Sequence, residues 1–239
     1  MDLALAAVIF LLAAGVQAVT GFGFVLLGLP LLALVVDAHT AVVACVAAGL
    51  VVCAWGWLQE RAFVDFTPMR WLLIGTVVGV PLGLVVFTRV SEQALMFGIG
   101  ALVLISALLL AVRVGVRAGR GVATGAGVLS GFLLVTTGTN GPPLVIALQA
   151  VALRPVPMRA TLQALMAIQG VFGVAMLGAA GRVTGEVLAI LAVALPAIVV
   201  GWALGERVFR RMSEEVARRV VLVALVINGV VLIATALTR

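Results

Sequence analysis

Apolar runs separated by short polar joints set the pattern of this chain. They cover roughly residues 3 to 19, 22 to 36, 40 to 58, 71 to 88 and 94 to 112, then 122 to 135, 142 to 153, 161 to 180, 187 to 204 and 220 to 237. These ten segments fall into two sets of five. The third, fourth, fifth, eighth, ninth and tenth are about 18 to 20 residues long, enough to cross a hydrocarbon core of roughly 30 Å. The sixth and seventh, at about 14 and 12 residues, predict helices of only about 21 and 18 Å. The first and second are borderline. Short paired segments therefore open each half, and the pattern predicts an all-α polytopic membrane protein.

One joint differs from the rest. Gly131 to Pro143, GFLLVTTGTNGPP, sets hydroxyls, an amide, glycines and two prolines between apolar segments. Pro142 and Pro143 can open a helix but not continue one, and Gly138 and Gly141 free the backbone. Irregular backbone in lipid is tolerated only where protein buries it or where it lines a wet cavity, so this break between half-helices is the first candidate for a substrate site.

The halves also share letters. Gly79-x-x-x-Gly83-x-x-Val86-Phe87-x-Arg89-x-Ser91-Glu92 returns as Gly201-x-x-x-Gly205-x-x-Val208-Phe209-x-Arg211-x-Ser213-Glu214. The glycine spacing suits close helix packing, and the serines suit N-caps. The motif reads as scaffold, and it implies a tandem repeat, residues 1–118 and 119–239.

Charge then orients the repeats. With the N-terminus outside, and each opening pair returning the chain to its own side, Arg61, Arg70, Arg113, Arg117, Arg120, Arg154, Arg159, Arg207, Arg210, Arg211, Arg218 and Arg219 share one face. Only Arg89, Arg182 and Arg239 face the other, as the positive-inside rule requires of a cytoplasmic and an outer side. The Arg89 and Arg211 loops then lie on opposite sides, which makes the halves inverted-topology repeats, each a short broken or re-entrant helix pair plus three transmembrane helices. Both re-entrant tips, Thr20 to Phe24 and Thr136 to Pro143, would meet near the midplane. Half-helix N-termini aimed at one locus favour an anion.

Composition agrees with this picture and removes others. Hydrophobic residues make up 64% and charged residues 10% of the 239, and mean hydropathy is +1.34. All 15 basic residues are arginines. The pI near 11.4 invites a nucleic-acid reading, but the arginines sit at membrane joints and no basic stretch is interleaved with aromatics, so no nucleic-acid partner is expected. A single histidine, His39, makes a His/Cys metal site improbable. Cys45 and Cys53 are about 12 Å apart along one helix, too far for a disulfide. The first 18 residues have signal-peptide length but no basic start, and read as the first membrane segment. No nucleophile, base and orienter form a set, so the chain does not read as an enzyme, and no cofactor is expected.

The order of these features resembles the sulfite exporter family of the TauE/SafE type. The resemblance rests on Gly15-x5-Gly21-Phe22-Gly23 with Pro30 downstream, on Gly131-x6-Gly138-x-x-Gly141-Pro142-Pro143, and on Arg159-Ala160-Thr161, and it spans the whole chain. It implies a secondary transporter moving a small sulfur-containing anion, sulfite or an organosulfonate, across the cytoplasmic membrane by alternating access. A carrier or channel for a small carboxylate or another inorganic anion is the alternative. The second motif carries more side chains than the glycine-richer version found in many relatives, which points to a different anion as one outcome.

The candidate substrate residues are Gln17, Thr20, Gly21, Gly23, Thr136, Thr137, Gly138, Thr139, Asn140, Gly141, Arg159 and Gln163. The threonines and Asn140 either touch substrate or satisfy the broken backbone; the glycines shape the turn and offer N–H groups. Gln17 and Gln163 are expected to line a cavity and Gln149 to tie helices together, because polar groups in apolar segments need partners. Arg159 is either the anion's counter-charge or a loop arginine. Asp37 and His39 are either coupling groups or a solvated cap. Trp55, Trp57, Trp71 and Trp202 are expected as interfacial anchors. The expected partners are the anion and the lipid bilayer, with a homodimer as a candidate assembly; the Gly75, Gly79 and Gly83 face suits packing either within or between protomers.

Overall fold

The computed structural model of the protein describes residues 3–20, 23–111, 119–151, 153–209 and 214–238. Ten α-helices run through them in the order α1 (Leu3–Thr20), α2 (Phe24–Leu32), α3 (Ala38–Glu60), α4 (Met69–Arg89), α5 (Glu92–Ala111), α6 (Arg120–Thr137), α7 (Gly141–Gln149), α8 (Pro155–Ala179), α9 (Gly185–Phe209) and α10 (Glu214–Thr238). Five described segments are long and apolar enough to cross a membrane: 38–63, 69–89, 92–109, 155–179 and 185–207. The chain is a multi-pass, all-helical membrane protein.

The opening pair of each half is lopsided, which corrects the expected lengths. α1 and α6 are 18 residues long and α2 and α7 only 9, so a helix of about 27 Å is followed by one of about 13.5 Å. α6 gains length at its start, where Arg120-Gly-Val-Ala-Thr-Gly continues the helix although apolar residues thin out there. Packing overrides the weak propensity of those glycines. α4 packs on the neighbouring Thr124, Gly127 and Val128, while Gly121 and Gly125 themselves face open space.

That packing is backbone on backbone. A Cβ added at Gly75 would stand 2.1 Å from the Thr124 carbonyl oxygen, at Gly79 2.1 Å from that of Val128, and at Gly83 2.5 Å from that of Phe132. Positions on α4 and α6 advance together, so the two helices run parallel. α9 meets α1 in the same way, with Gly201 against the Leu11 carbonyl (2.1 Å) and Gly205 against Gly15 (2.6 Å). The glycines repeated at an offset of 122 thus seat α4 of the first half on α6 of the second, and α9 of the second on α1 of the first. α3 pairs with α8 and α5 with α10, so every principal long-helix contact joins the halves. The Gly75–Gly79–Gly83 face is consumed inside the chain and is closed to a second copy. Arg211 and Ser213 of the repeated motif lie outside the described residues.

Outward faces carry Val77, Val78, Leu82 and Val85, about half exposed, as a lipid-facing surface needs. Trp71 anchors one end, with the guanidinium groups of Arg70 and Arg120 at 5.4 and 5.5 Å from its ring centroid, a cation–π arrangement typical of an interfacial belt. Trp55 is exposed, but Trp202 is buried at 7%. The reading of Trp202 as an anchor is therefore replaced by a core role beside the tight α1–α9 contact.

Gly79→Ala is expected to lower stability by about 1–3 kcal/mol or more, because its methyl can be admitted only by parting two helix backbones. Gly98→Ala, inside α5 with nothing within 4 Å, should instead raise it by up to about 1 kcal/mol through helix propensity. Thermal unfolding of the two variants in detergent, followed by circular dichroism, compares them directly.

Candidate functional site

The break between α6 and α7 spends most of its polar groups on itself. Thr136 and Thr137 donate their hydroxyls to the carbonyls of Phe132 (2.9 Å) and Leu133 (3.0 Å), one turn back, and Thr137 and Thr139 share a 2.8 Å hydroxyl contact. Gly138 ends α6 at φ 66°, the left-handed region. A Cβ there would also press to 2.9 Å from Val25 of α2, so the position needs glycine for conformation and for space.

Asn140 precedes α7 but does not cap it with its side chain. Its amide instead donates to Gln169 Oε1 of α8 at 2.8 Å, and Gln169 Nε2 donates to Thr76 of α4 at 2.7 Å. Ser130 of α6 lies 2.9 Å from both the Asn140 carbonyl and Gln169 Oε1. All four residues are buried. One glutamine therefore ties the broken helix to α4, α6 and α8, and supplies partners for groups that hydrocarbon would leave unpaired.

The first hairpin is built differently. Gln17, at 0% exposure, accepts the backbone N–H of Phe24 at 2.9 Å, closing the turn from α1 into α2, and its amide nitrogen lies 3.6 Å from Cys53 Sγ of α3. Gly23 precedes α2 and is buried. Gly21 and the Thr20 side chain lie outside the described residues.

Both tips open onto one narrow cavity of about 20 Å³, room for about one water. Gln17 and Phe24 reach it from the first hairpin, Gly138 and Asn140 from the second, Val46, Gly49 and Cys53 from α3, and Met166 and Gly170 from α8. Gly49 is the middle of α3. A Cβ on Gly138 would sit 3.8 Å from Val46, nearer the Asp37 end of α3, whereas Gln17 touches Cys53, nearer the Glu60 end. Each tip therefore passes the middle of α3, which the 18-residue first arms make possible. The dipole argument needs a correction in detail: Phe24 has given its N–H to Gln17, and Pro142 and Pro143 have none, so the half-helices bring fewer free donors to the cavity than two open N-termini would.

Other candidates lie apart from it. Gln163 is buried at 2%, its amide lies against Gly56 of α3, and its Oε1 has no hydrogen-bond partner among the described residues. Gln149 is exposed at the end of α7, which replaces the expected helix-tying role. Arg159 forms an ion pair with Glu60. Asp37 caps α3, accepting the N–H groups of His39 and Thr40 at 3.0 Å, and the His39 ring meets Phe87 edge-on.

The sequence profile described as "Sulfite exporter TauE/SafE" matches residues 5–232. This chain belongs to the sulfite exporter TauE/SafE family. A curated member, the "Probable sulfite/organosulfonate exporter TauE" of Cupriavidus necator, is 29% identical over 93% of this chain and 90% of its own length. No solved structure matches. Members of the TauE/SafE family are membrane transporters, not enzymes, and in this TauE/SafE chain buried polar side chains of both hairpins, Gln17 and Asn140, line one cavity.

Reading residue types missed Ser130, Thr76 and Cys53, which are single polar groups in apolar helices. A signal did exist for two of them: Thr76 lies between Gly75 and Gly79, and Ser130 between Gly127 and Gly131, where close approach brings hydroxyls within reach of a neighbour.

Gln169→Leu removes three contacts at once and leaves Asn140 and Thr76 short of partners, so it should destabilise by more than Asn140→Ala, with each lost partner costing about 1–3 kcal/mol. Parallel thermal melts rank the two. Equal melting temperatures would show that Gln169 is not the hub.

Proposed function

We propose that the protein is a secondary transporter that moves a small sulfur-containing oxyanion, sulfite or an organosulfonate, across the cytoplasmic membrane, with the site between the two hairpin tips. The observation that carries this reading is the convergence of both tips, Gln17 and Phe24 from one and Gly138 and Asn140 from the other, on a single buried cavity. The name of the Cupriavidus necator relative supports the substrate class. Fixed charge is absent from the described lining, which combines amides and a thiol with apolar side chains. An anion held by dipoles and neutral donors can leave again, which transport requires.

The size of the cavity supports alternating access. A cavity with room for about one water does not admit a sulfonate, so the hairpins and α3 and α8 must part for the anion to enter. The halves 1–118 and 119–239 act as inverted repeats in this proposal, and the exchange of glycine contacts between α4 and α6 and between α9 and α1 supports it. Rocking of one half against the other would open the cavity first to one side and then to the other. The arginine distribution supports the cytoplasmic membrane as the location, with the Glu60 end of α3 inside.

Direct binding tests the substrate class. Sulfite and small sulfonates should stabilise the purified protein saturably, small carboxylates less, and Asn140→Ala should weaken the response about tenfold. Equal responses to all anions, or no response, would sink the sulfur-anion reading. The movement has a native reporter. In a Cys45→Ser background Cys53 is the sole thiol, buried at 3%, and an impermeant maleimide should label it at a rate that saturating methanesulfonate, which does not consume the reagent, changes severalfold. A constant slow rate would show that the cavity does not open.

A further inference from the structure

Glu60 is the last residue of α3, and Arg159 stands in the second turn of α8. Arg159 Nε donates to Glu60 Oε2 at 3.1 Å and its Nη2 to Glu60 Oε1, so the carboxylate fills one edge of the guanidinium fork. The third nitrogen, Nη1, donates at 3.4 Å to the carbonyl of Ala18. Ala18 follows Gln17, which lines the cavity. A single guanidinium therefore joins α3, α8 and the end of α1, one residue from the cavity. Its side chain is 40% exposed and that of Glu60 15%, so an anion arriving from that end meets Arg159 before it meets the cavity.

The fork does not require a carboxylate. Its two parallel N–H groups take any oxyanion that presents two oxygens side by side, and a sulfite or sulfonate does so as a carboxylate does. We propose that Arg159 is an entry subsite for the transported oxyanion and that Glu60 holds its place when no anion is bound. This rests on the anion-transport reading above and adds the residue that receives the anion and the residue that yields to it. The exchange keeps the subsite neutral, because one anion replaces another on the same cation while Glu60 turns to the solvent at the end of its helix, beside exposed Arg61. The Ala18 contact holds the guanidinium at the mouth throughout. A plain structural ion pair and a placeholder make different forecasts: loss of a strut loosens the mouth, whereas loss of a competitor frees the Arg159 fork and tightens binding only while Arg159 is present.

The test is calorimetric titration of the full-length protein in detergent with sulfite and with methanesulfonate. Glu60→Gln should bind both roughly two- to fivefold more tightly than the wild type, the factor expected for loss of a partly exposed competing pair. Arg159→Gln should bind more weakly than either. Glu60→Asp keeps the charge and the fold but shortens the reach, and should fall between wild type and Glu60→Gln, which guards against a Glu60→Gln protein that fails to fold. Saturable binding by the wild type with equal or weaker binding by both Glu60 variants would overturn the placeholder and leave the transporter reading standing. Absence of saturable binding in the wild type and in every variant would overturn that reading and the subsite with it.

Discussion

A helix broken inside hydrocarbon frees backbone groups that lipid cannot satisfy, and the rest of this structure depends on how that debt is met. At the second hairpin, Ser130 reaches the Asn140 carbonyl, and Thr136 and Thr137 satisfy their own hydroxyls on carbonyls one turn back. Gln169 then links the break to α4 through Thr76. A glutamine is suited to this place because one amide both accepts and donates, so a single side chain serves Asn140 on one side and Thr76 on the other. Without it the Asn140 amide and the Thr76 hydroxyl would each lose a buried partner, at about 1–3 kcal/mol apiece.

Such short links require backbones that lie unusually close. Thr76 reaches Gln169 from a helix whose Gly75 and Gly79 let α6 approach to contact distance, so the glycines position the polar network as well as binding the helices. Van der Waals contact is the main attraction open to helices already in an apolar solvent. The same glycines therefore explain why each half leans on the other half's first helix. Stability and site geometry come from one feature of the sequence.

The ten segments and their order were legible in the apolar pattern because membrane helices must be continuous and of fixed length. The break at Gly138 was legible because glycine and proline punctuate a helix whatever surrounds it. The start of α6 was not, since Arg120 to Gly125 reads as a polar joint until α4 meets Arg120 and Thr124. Nor was the Glu60–Arg159 pair, separated by about a hundred positions and dependent on the packing of α3 against α8. Arg159 stood out by its charge alone; its partner emerges only when two helix ends meet. Gln163 and Gln169, six residues apart on α8, illustrate the same limit. Both are buried amides, but one is a fully bonded hub and the other lies against Gly56 with an unpaired oxygen, a difference that depends entirely on the neighbouring helices.

The two hairpins are held by different physics, and the difference has a direction. The second is fixed by short neutral hydrogen bonds among groups at most 7% exposed, where an unmade bond is costly and water is scarce. The first is held at its α1 end by a guanidinium that is 40% exposed, in a setting where ions compete and solvent screens. On the proposed reading, an anion reaching the Glu60 end of α3 acts on the first hairpin before the second. If one tip yields when anion arrives it is the one beside Gln17, and the half-helix anchored by Gln169 serves as the wall against which it moves.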